Sequence, residues 1–202
     1  MTVGLQPRPA PFRDARLFVI ATEDARRTPW YFEGLQQHGI VGGRRLKVRL
    51  LPTEEGTSSP NQVLGRLAEF CAEHDLKPFD QLWLVLDVDR WPAFDGLLAE
   101  THRCGYRAAV SDPCIEVWFQ LHFVEAPQAA PGAGESAARA AKRAWGAILQ
   151  DHAGNARWPF TRSNVALAVE RGQAADAGGW RPTCPGTHVH RLVGELLAFS
   201  SL

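Results

Sequence analysis

The stretch LWLVLDVD, residues 82–89, decides the fold. Its first five residues form the most apolar run among the predicted strands, which is typical of a strand buried on both faces of a sheet. Asp87 ends this run, and Asp89 follows two residues later. We therefore predict that two carboxylates lie where a central strand ends.

Predicted strands and helices alternate on both sides of this stretch. Three more strands are predicted. Residues 17–21 form a short apolar run, and residues 44–51 alternate basic and apolar side chains. Residues 107–110 form a short strand after the central one. Amphipathic helices are predicted between the strands, the first with Thr28 as its N-cap and the second with Ser59. This order predicts an α/β fold with an open parallel sheet and flanking helices, in which ligands bind at the carboxyl ends of the strands.

The last third of the chain has helical periodicity without the alternation of strands. Helices are predicted at residues 136–149, 163–174 and 188–198. We expect a C-terminal helical appendage that packs against the sheet edge or forms the surface for a partner or a second copy of the chain. The predicted parts are an N-terminal lead (1–15), an α/β domain (16–124) and a helical region (125–202).

The charge balance excludes a protein whose whole surface binds polyanions. Lys and Arg number 22, as do Asp and Glu, so any contacts with nucleic acid must be local.

The sequence shows no membrane-spanning run and no apolar run typical of a secretory leader, and its four cysteines form no C-x-x-C pair. We expect a cytoplasmic protein with reduced thiols and no membrane partner.

A third acidic residue, Glu23, follows the first predicted strand. In a parallel sheet, Glu23, Asp87 and Asp89 would emerge at the same edge, where they would repel one another unless a cation neutralised them. Carboxylate oxygens suit a hard cation such as Mg²⁺. The alternative is that Asp87 and Asp89 only cap a turn.

Five stretches together carry a resemblance to a known family. They are IATEDARRTPWYFEGL (20–35), LPTEEGTSSPNQVLGRL (51–67), LWLVLDVDRW (82–91), SDPCIEVWFQLHF (111–123) and PGTHVHRLVGEL (185–196). In their order and spacing they resemble the RloB-like family, the small partner of the RloA ATPase in bacterial anti-phage operons and in abortive-infection gene pairs. The resemblance spans residues 16–197.

The resemblance implies a Toprim-like α/β domain, in which a strand-end Glu and an Asp-x-Asp pair bind Mg²⁺ or Mn²⁺ for phosphoryl transfer. By position, Glu23 matches the glutamate, and Asp87 and Asp89 match the pair. The implied activity is a nuclease that acts on RNA, such as tRNA, or on DNA, as the effector of an abortive-infection system with an RloA-type ATPase. At the position where the family resemblance predicts a second glutamate, this chain has Thr28. Either the second glutamate is not essential, or the affinity of this chain for the metal is reduced.

Other residues are weaker candidates for the site. Glu116 falls in a predicted helix after the fourth strand and either reaches the metal or complements the helix dipole. His122 is either a core histidine, which we favour, or a proton shuttle. The arginines predicted to contact nucleic acid are Arg26, Arg27 and Arg90, and the basic runs 44–49 and 139–143 are candidates for phosphate contact or solvated faces.

Two rival functions remain open. The chain has no G-x-x-x-x-G-K-[ST] motif, so any ATP dependence would come from a partner. One rival is a non-catalytic Toprim-like sensor or partner subunit of the ATPase, and the other is a housekeeping RNA maturase that needs no ATPase.

We further expect His188 and His190 to form a surface cap and Trp30 to lie on a core face.

Overall fold

The computed structural model describes residues 15–51, 53, 59–88, 94–152 and 160–200. Within these residues, the strands are β1 (Arg16–Thr22), β2 (Leu46–Leu51), β3 (Gln81–Asp87), β4 (Arg107–Asp112) and β5 (Gly186–Thr187). The helices are α1 (Arg27–Gln37), α2 (Pro60–Glu73), α3 (Phe94–Arg103), α4 (Glu116–Gln120), α5 (Ala137–Asp151), α6 (Arg162–Ala175) and α7 (Val189–Ser200). In this part of the chain, every helix is too short or too polar to cross a lipid bilayer.

The strands form one sheet in the order β2-β1-β3-β4-β5. The first four strands in this order are parallel, and β5 pairs with β4 in the antiparallel direction. Helices connect the parallel strands, which confirms the predicted α/β class with a mostly parallel sheet and flanking helices. The central strand β3 is buried along most of its length, as its apolar run predicts.

Each face of the sheet carries its own apolar core. Phe18 and Ile20 of β1 face a cluster that includes side chains of α1, α4, α6 and α7. Val19 and Ala21 face the other way, into a cluster formed mainly with α2 and α3. This alternation follows from the period of two in a strand, and it explains why β1 has no polar side chain between Leu17 and Ala21.

The start of α1 differs from the sequence prediction. The helix begins at Arg27, so Thr28 lies inside its first turn, and the prediction of Thr28 as N-cap is wrong. Asp24 supplies the capping oxygens instead: its carboxylate accepts hydrogen bonds from the backbone N–H groups of Arg26 at 2.9 Å and Thr28 at 3.0 Å, and from that of Arg27. At the start of α2, Ser59 is the N-cap in a capping box with Gln62, as its position predicts.

The C-terminal region is not purely helical. Besides α5, α6 and α7, it contributes β5, whose Thr187 pairs with Ser111 of β4. The Oγ of Ser111 and the Oγ1 of Thr187 lie 2.9 Å apart, in the interior. A strand of two residues is too short to give a period-two pattern, which is why the sequence does not reveal it.

Candidate functional site

Glu23 and Asp87 meet at the carboxyl ends of two adjacent strands. Asp87 is the last residue of β3, and Glu23 directly follows β1. The backbone N–H of Asp87 donates to Oε2 of Glu23 at 3.0 Å, and the backbone N–H of Glu23 donates to the carbonyl oxygen of Val85 at 3.2 Å. The structure therefore brings these two predicted site residues together at one edge of the sheet.

The end of β1 is held in place from the neighbouring segments. The carbonyl oxygen of Thr22 accepts hydrogen bonds from Oγ1 of Thr53 at 2.6 Å and from a guanidinium nitrogen of Arg66 at 2.9 Å. Arg66 also donates to Oγ1 of Thr53 at 2.5 Å. These bonds fix the backbone immediately before Glu23, so the direction in which Glu23 leaves the sheet is well defined.

Glu116 is buried beside this edge in an ion pair with Arg27. Its side chain is only 1% exposed, whereas that of Arg27 is 55% exposed. Oε1 accepts from the Arg27 guanidinium, and Oε2 has no hydrogen-bond partner among the described residues. A buried carboxylate is stable only when its charge is compensated, and the second oxygen leaves room for a further donor or a cation.

The thiol of Cys114 responds to both Glu116 and Asp87. Burial raises the pKa of Cys114 well above its ordinary value, and the negative charges of Glu116 and Asp87 raise it further, while Lys142 acts in the opposite direction. Cys114 is therefore a protonated, inert thiol. Its environment also shows that Glu116 and Asp87 contribute to the same local negative potential.

The residues at this edge match the chemistry of a hard cation only in part. Glu23, Asp87 and Glu116 supply carboxylate oxygens, the ligand type that Mg²⁺ and Mn²⁺ prefer. Within the described residues, however, no three His, Cys, Asp or Glu side chains are grouped closely enough to hold a metal ion. Asp89, the predicted third ligand, lies outside the described residues, so a three-carboxylate site would need Asp89 together with Glu23 and Asp87.

The three arginines predicted to contact nucleic acid have different surroundings. Arg26 is exposed in the loop after Glu23. Arg27 begins α1 and holds Glu116 while part of its side chain remains open to solvent. Arg90 lies outside the described residues. Arg27 is thus the cation that the structure places against the acidic edge.

His122 has the surroundings of a core histidine. It is 2% exposed, and its Nε2 lies 3.1 Å from the hydroxyl oxygen of Tyr31. Nδ1 lies 3.2 Å from the carbonyl oxygens of both Trp118 and Phe119. Burial lowers the pKa of His122 to about 4, so the ring is neutral and both of its nitrogens have partners. These contacts favour the core alternative.

Two sequence expectations about exposure are wrong. His188 and His190 are buried, not part of a surface cap: His188 directly follows β5, and His190 lies in the first turn of α7 and packs against Gly172 of α6. Trp30 is 42% exposed and does not lie on a core face, because only part of its ring packs against Phe119 and Phe160.

The buried histidines belong to a polar cluster that sequence reasoning missed. Asp176, at the end of α6, accepts hydrogen bonds from Nε of Arg191 at 2.8 Å and from Nη2 at 2.9 Å. Nε2 of His190 lies 3.1 Å from Asp176, and Nε2 of His188 lies 3.6 Å from it. The only sequence signal of this polar cluster is the His-x-His-Arg spacing at residues 188–191, since Asp176 is distant from them in the chain.

Comparison with known proteins identifies one family. A family model described as RloB-like protein matches residues 18–196, which is most of the chain and includes every predicted site residue. Comparisons with curated proteins and with solved structures each found no match.

Proposed function

This chain belongs to the RloB-like family, and from that premise we propose that it is a metal-dependent nuclease of the Toprim type. Its substrate would be RNA, such as tRNA, or DNA, and it would act as the effector of an abortive-infection system together with an ATPase. The observation that carries this proposal is the hydrogen bond from the backbone N–H of Asp87 to the Glu23 carboxylate, because it brings two acidic residues together at the ligand-binding edge of a parallel sheet.

In the proposed reaction, Glu23, Asp87 and Asp89 would hold one or two Mg²⁺ or Mn²⁺ ions. When bound, such ions activate a water molecule and stabilise the charge of an in-line displacement at phosphorus. The N–H of Asp87 fixes the orientation of the Glu23 carboxylate before any substrate arrives. Glu23 is therefore placed to accept a proton from the attacking water at a carboxylate oxygen.

Arg27 would contribute to substrate binding. Its guanidinium has several N–H donors, one of which is used by Glu116. The remaining donors of this half-exposed side chain can contact the non-bridging oxygens of a phosphate at the edge of the sheet. Pairing with Glu116 holds the guanidinium in position, which lowers the entropy cost of that contact.

A second candidate function, a non-catalytic partner or sensor subunit, is favoured by the same ion pair. Thr28 stands where the family resemblance predicts a second glutamate, and Arg27 neutralises the buried Glu116. Both features reduce the negative charge available to a cation. The two functions differ in whether this edge binds Mg²⁺ at all.

Cleavage assays test the proposal directly. The purified protein, alone and with the ATPase encoded next to it, is incubated with total RNA and with plasmid in Mg²⁺ and then in Mn²⁺. We expect Asp87→Ala to lower cleavage by roughly 100-fold or more, since loss of a metal ligand removes several kcal/mol of transition-state stabilisation. Glu100→Gln is the matched control, because Glu100 is an exposed carboxylate paired with Arg103 near the end of α3, and it should leave cleavage unchanged.

Thermal melts separate the two candidate functions without relying on cleavage. Ligand binding to the folded state raises the melting temperature, so the wild type should melt higher with Mg²⁺ and Asp87→Ala should not. Without the cation, Asp87→Ala should be as stable as the wild type or slightly more stable, because it relieves repulsion between carboxylates. An equal response of both proteins to Mg²⁺, with no cleavage of either nucleic acid, would favour the non-catalytic subunit.

A further inference from the structure

A line of cations runs along β2, the strand at one side of the sheet. Arg45, Lys47 and Arg49 occupy alternate positions at and just before this strand, and all three side chains are exposed. Alternate residues of a strand point to the same face and lie about 6.6 Å apart. These three residues, called here the β2 basic strip, therefore form a regular row of positive charge.

The strip is exposed because, among the described elements, no helix packs closely over that face of β2. Leu46, Val48 and Leu50 point into the core shared with α1 and α7, so the alternating residues Lys47 and Arg49 point to the opposite face. On that face, α2 packs over β1 and β3. The position of α2 leaves the outer strand open to solvent.

The strip is not neutralised by the residues that the structure describes. Three exposed arginines elsewhere have carboxylate partners: Arg103 pairs with Glu100, Arg107 with Glu195, and Arg143 with Glu135. Among the described residues, Arg45, Lys47 and Arg49 have no such partner, although the chain as a whole has as many acidic as basic residues. Unpaired cations in a row favour an extended anionic ligand.

The strip leads toward the carboxylate edge. Arg49 pairs in register with Val19, four residues before Glu23 on the adjacent strand, which places it about 13 Å from the edge along the strand direction. Arg45 lies four residues further from the edge, so the strip itself covers about another 13 Å. A further cation, Arg66, bonds to Thr53 and to Thr22, the residue directly before Glu23.

We propose that the β2 basic strip binds the sugar–phosphate backbone of a nucleic acid whose scissile phosphate lies at the carboxylate edge. The inference rests on the proposed nuclease function and adds to it a binding path for the nucleotides beside the cleavage point. Phosphates repeat regularly along a nucleic acid strand, and a regular row of cations complements them without selecting a base sequence.

Charged side chains on an edge strand have another use, since they prevent two sheets from pairing edge to edge. The two roles predict different consequences of removing the charges. Protection of the edge predicts self-association of the variant with unchanged binding of nucleic acid. The proposed binding path predicts weaker binding by a variant that remains as monodisperse as the wild type.

The test compares the full-length wild type with Lys47→Gln/Arg49→Gln. Binding of fluorescently labelled RNA and DNA oligonucleotides, single- and double-stranded, is measured by anisotropy in EDTA over a series of salt concentrations. The matched control is Arg103→Gln/Arg107→Gln, which removes two exposed cations that already have carboxylate partners and lie near the opposite end of the sheet. Light scattering on each protein reports self-association.

We expect the strip variant to bind about tenfold more weakly at moderate salt and to lose about 1.4 from the slope of log K against log salt for single strands, because each phosphate contact contributes about 0.7. The control variant should keep the wild-type slope. Binding and slope that match the wild type would overturn the proposal, whether or not the variant self-associates. The RNA and DNA arms identify the ligand, and Mg²⁺-dependent cleavage of the same oligonucleotides tests the nuclease function separately, since the strip can bind in EDTA even when cleavage is absent.

Discussion

The carboxylate edge and the Asp176 cluster both gather ionisable side chains, but they differ in how completely their most buried carboxylate is paired. Asp176 accepts two hydrogen bonds from Arg191 and one from the backbone of Gly178, and His190 lies against it. At the carboxylate edge, Glu116 is buried with one oxygen in an ion pair and the other without a partner among the described residues. Both regions follow strands of the same sheet.

This difference distinguishes a structural cluster from a candidate active site. Both oxygens of Asp176 accept hydrogen bonds within the cluster, which stabilises the fold and leaves the carboxylate little capacity for a ligand, whereas Nε2 of the buried His188, 3.6 Å from Asp176, has no hydrogen-bond partner among the described residues. A buried carboxylate oxygen without a partner, such as Oε2 of Glu116, costs stability, which proteins tolerate where a ligand completes the site. Three predictions test this comparison, in order of the expected effect.

Asp176→Ala should cause the largest loss of stability. It leaves Arg191 and the buried His190 without their shared partner and removes the carboxylate 3.6 Å from His188, which we expect to cost about 2 to 3 kcal/mol, less than a fully buried ion pair because Arg191 is 36% exposed. Urea denaturation measures the change. Cleavage per folded molecule should stay at the wild-type level, and a specific loss of cleavage would show that this cluster is more than structural.

Lowering the pH should weaken the Asp176 cluster by a smaller amount. Burial lowers the pKa of His188 to about 4, with Arg191 and His190 acting in the same direction and Asp176 opposing them. The unfolded chain then binds more protons than the folded protein between pH 6.5 and pH 4, so stability is full above pH 6.5 and falls as the pH drops through that window. Between pH 7 and pH 5, His188 should account for a loss on the order of 1 to 2 kcal/mol.

The matched variant for this measurement is His188→Gln. Its stability should depend less on pH over the same interval, by about the amount assigned to His188. Asp176 itself titrates lower: burial tends to raise its pKa, but the hydrogen bonds from Arg191 and Gly178 outweigh this and lower it. An unchanged pH dependence in His188→Gln would show that His122 and His190, whose pKa values burial also lowers, carry the effect.

Asp24→Ala should give the smallest of the three effects. Asp24 lies beside Glu23 at the carboxylate edge, yet its oxygens are used by the first backbone N–H groups of α1. Loss of such a cap costs about 1 kcal/mol, measured by urea denaturation, and should leave the Mg²⁺-dependent rise in melting temperature intact. Asp24→Asn should retain most of the stability because Asn caps as well as Asp. An equal loss in both variants would mean that the charge of Asp24, and not its hydrogen bonds, stabilises the helix.

The sheet was predictable from the sequence because its strands carry strong local signals. The apolar runs of β1 and β3 and the alternation in β2 identify the strands, and the helices between them require parallel pairing. The start of α1 was not predictable in the same way, since both Asp24 and Thr28 are good capping residues. Which of these two residues caps the helix depends on where the chain leaves β1. β5 depends on its partner strand and not on its own two residues.

The candidate site was predictable to the extent that strand ends determine it. Glu23 and Asp87 come together because β1 and β3 are neighbours in the sheet. The ion pair of Glu116 with Arg27 joins segments 89 residues apart, and no spacing in the sequence indicates it. The burial of His188 and His190 was missed for the same reason, since the residues that cover them come from other parts of the chain.

The packing of α7 has a consequence for the synthesis of this protein. Val189, Leu192, Val193 and Leu196 of α7 are fully buried in the core that also holds Phe18 and Ile20 of β1. During translation, a nascent chain exposes the part of this sheet face that α7 covers until α7 has left the ribosome, because domains acquire stability only when their core is complete. The sheet that holds Glu23 and Asp87 therefore gains its full stability late, and an interrupted translation product would lack a stably folded carboxylate edge.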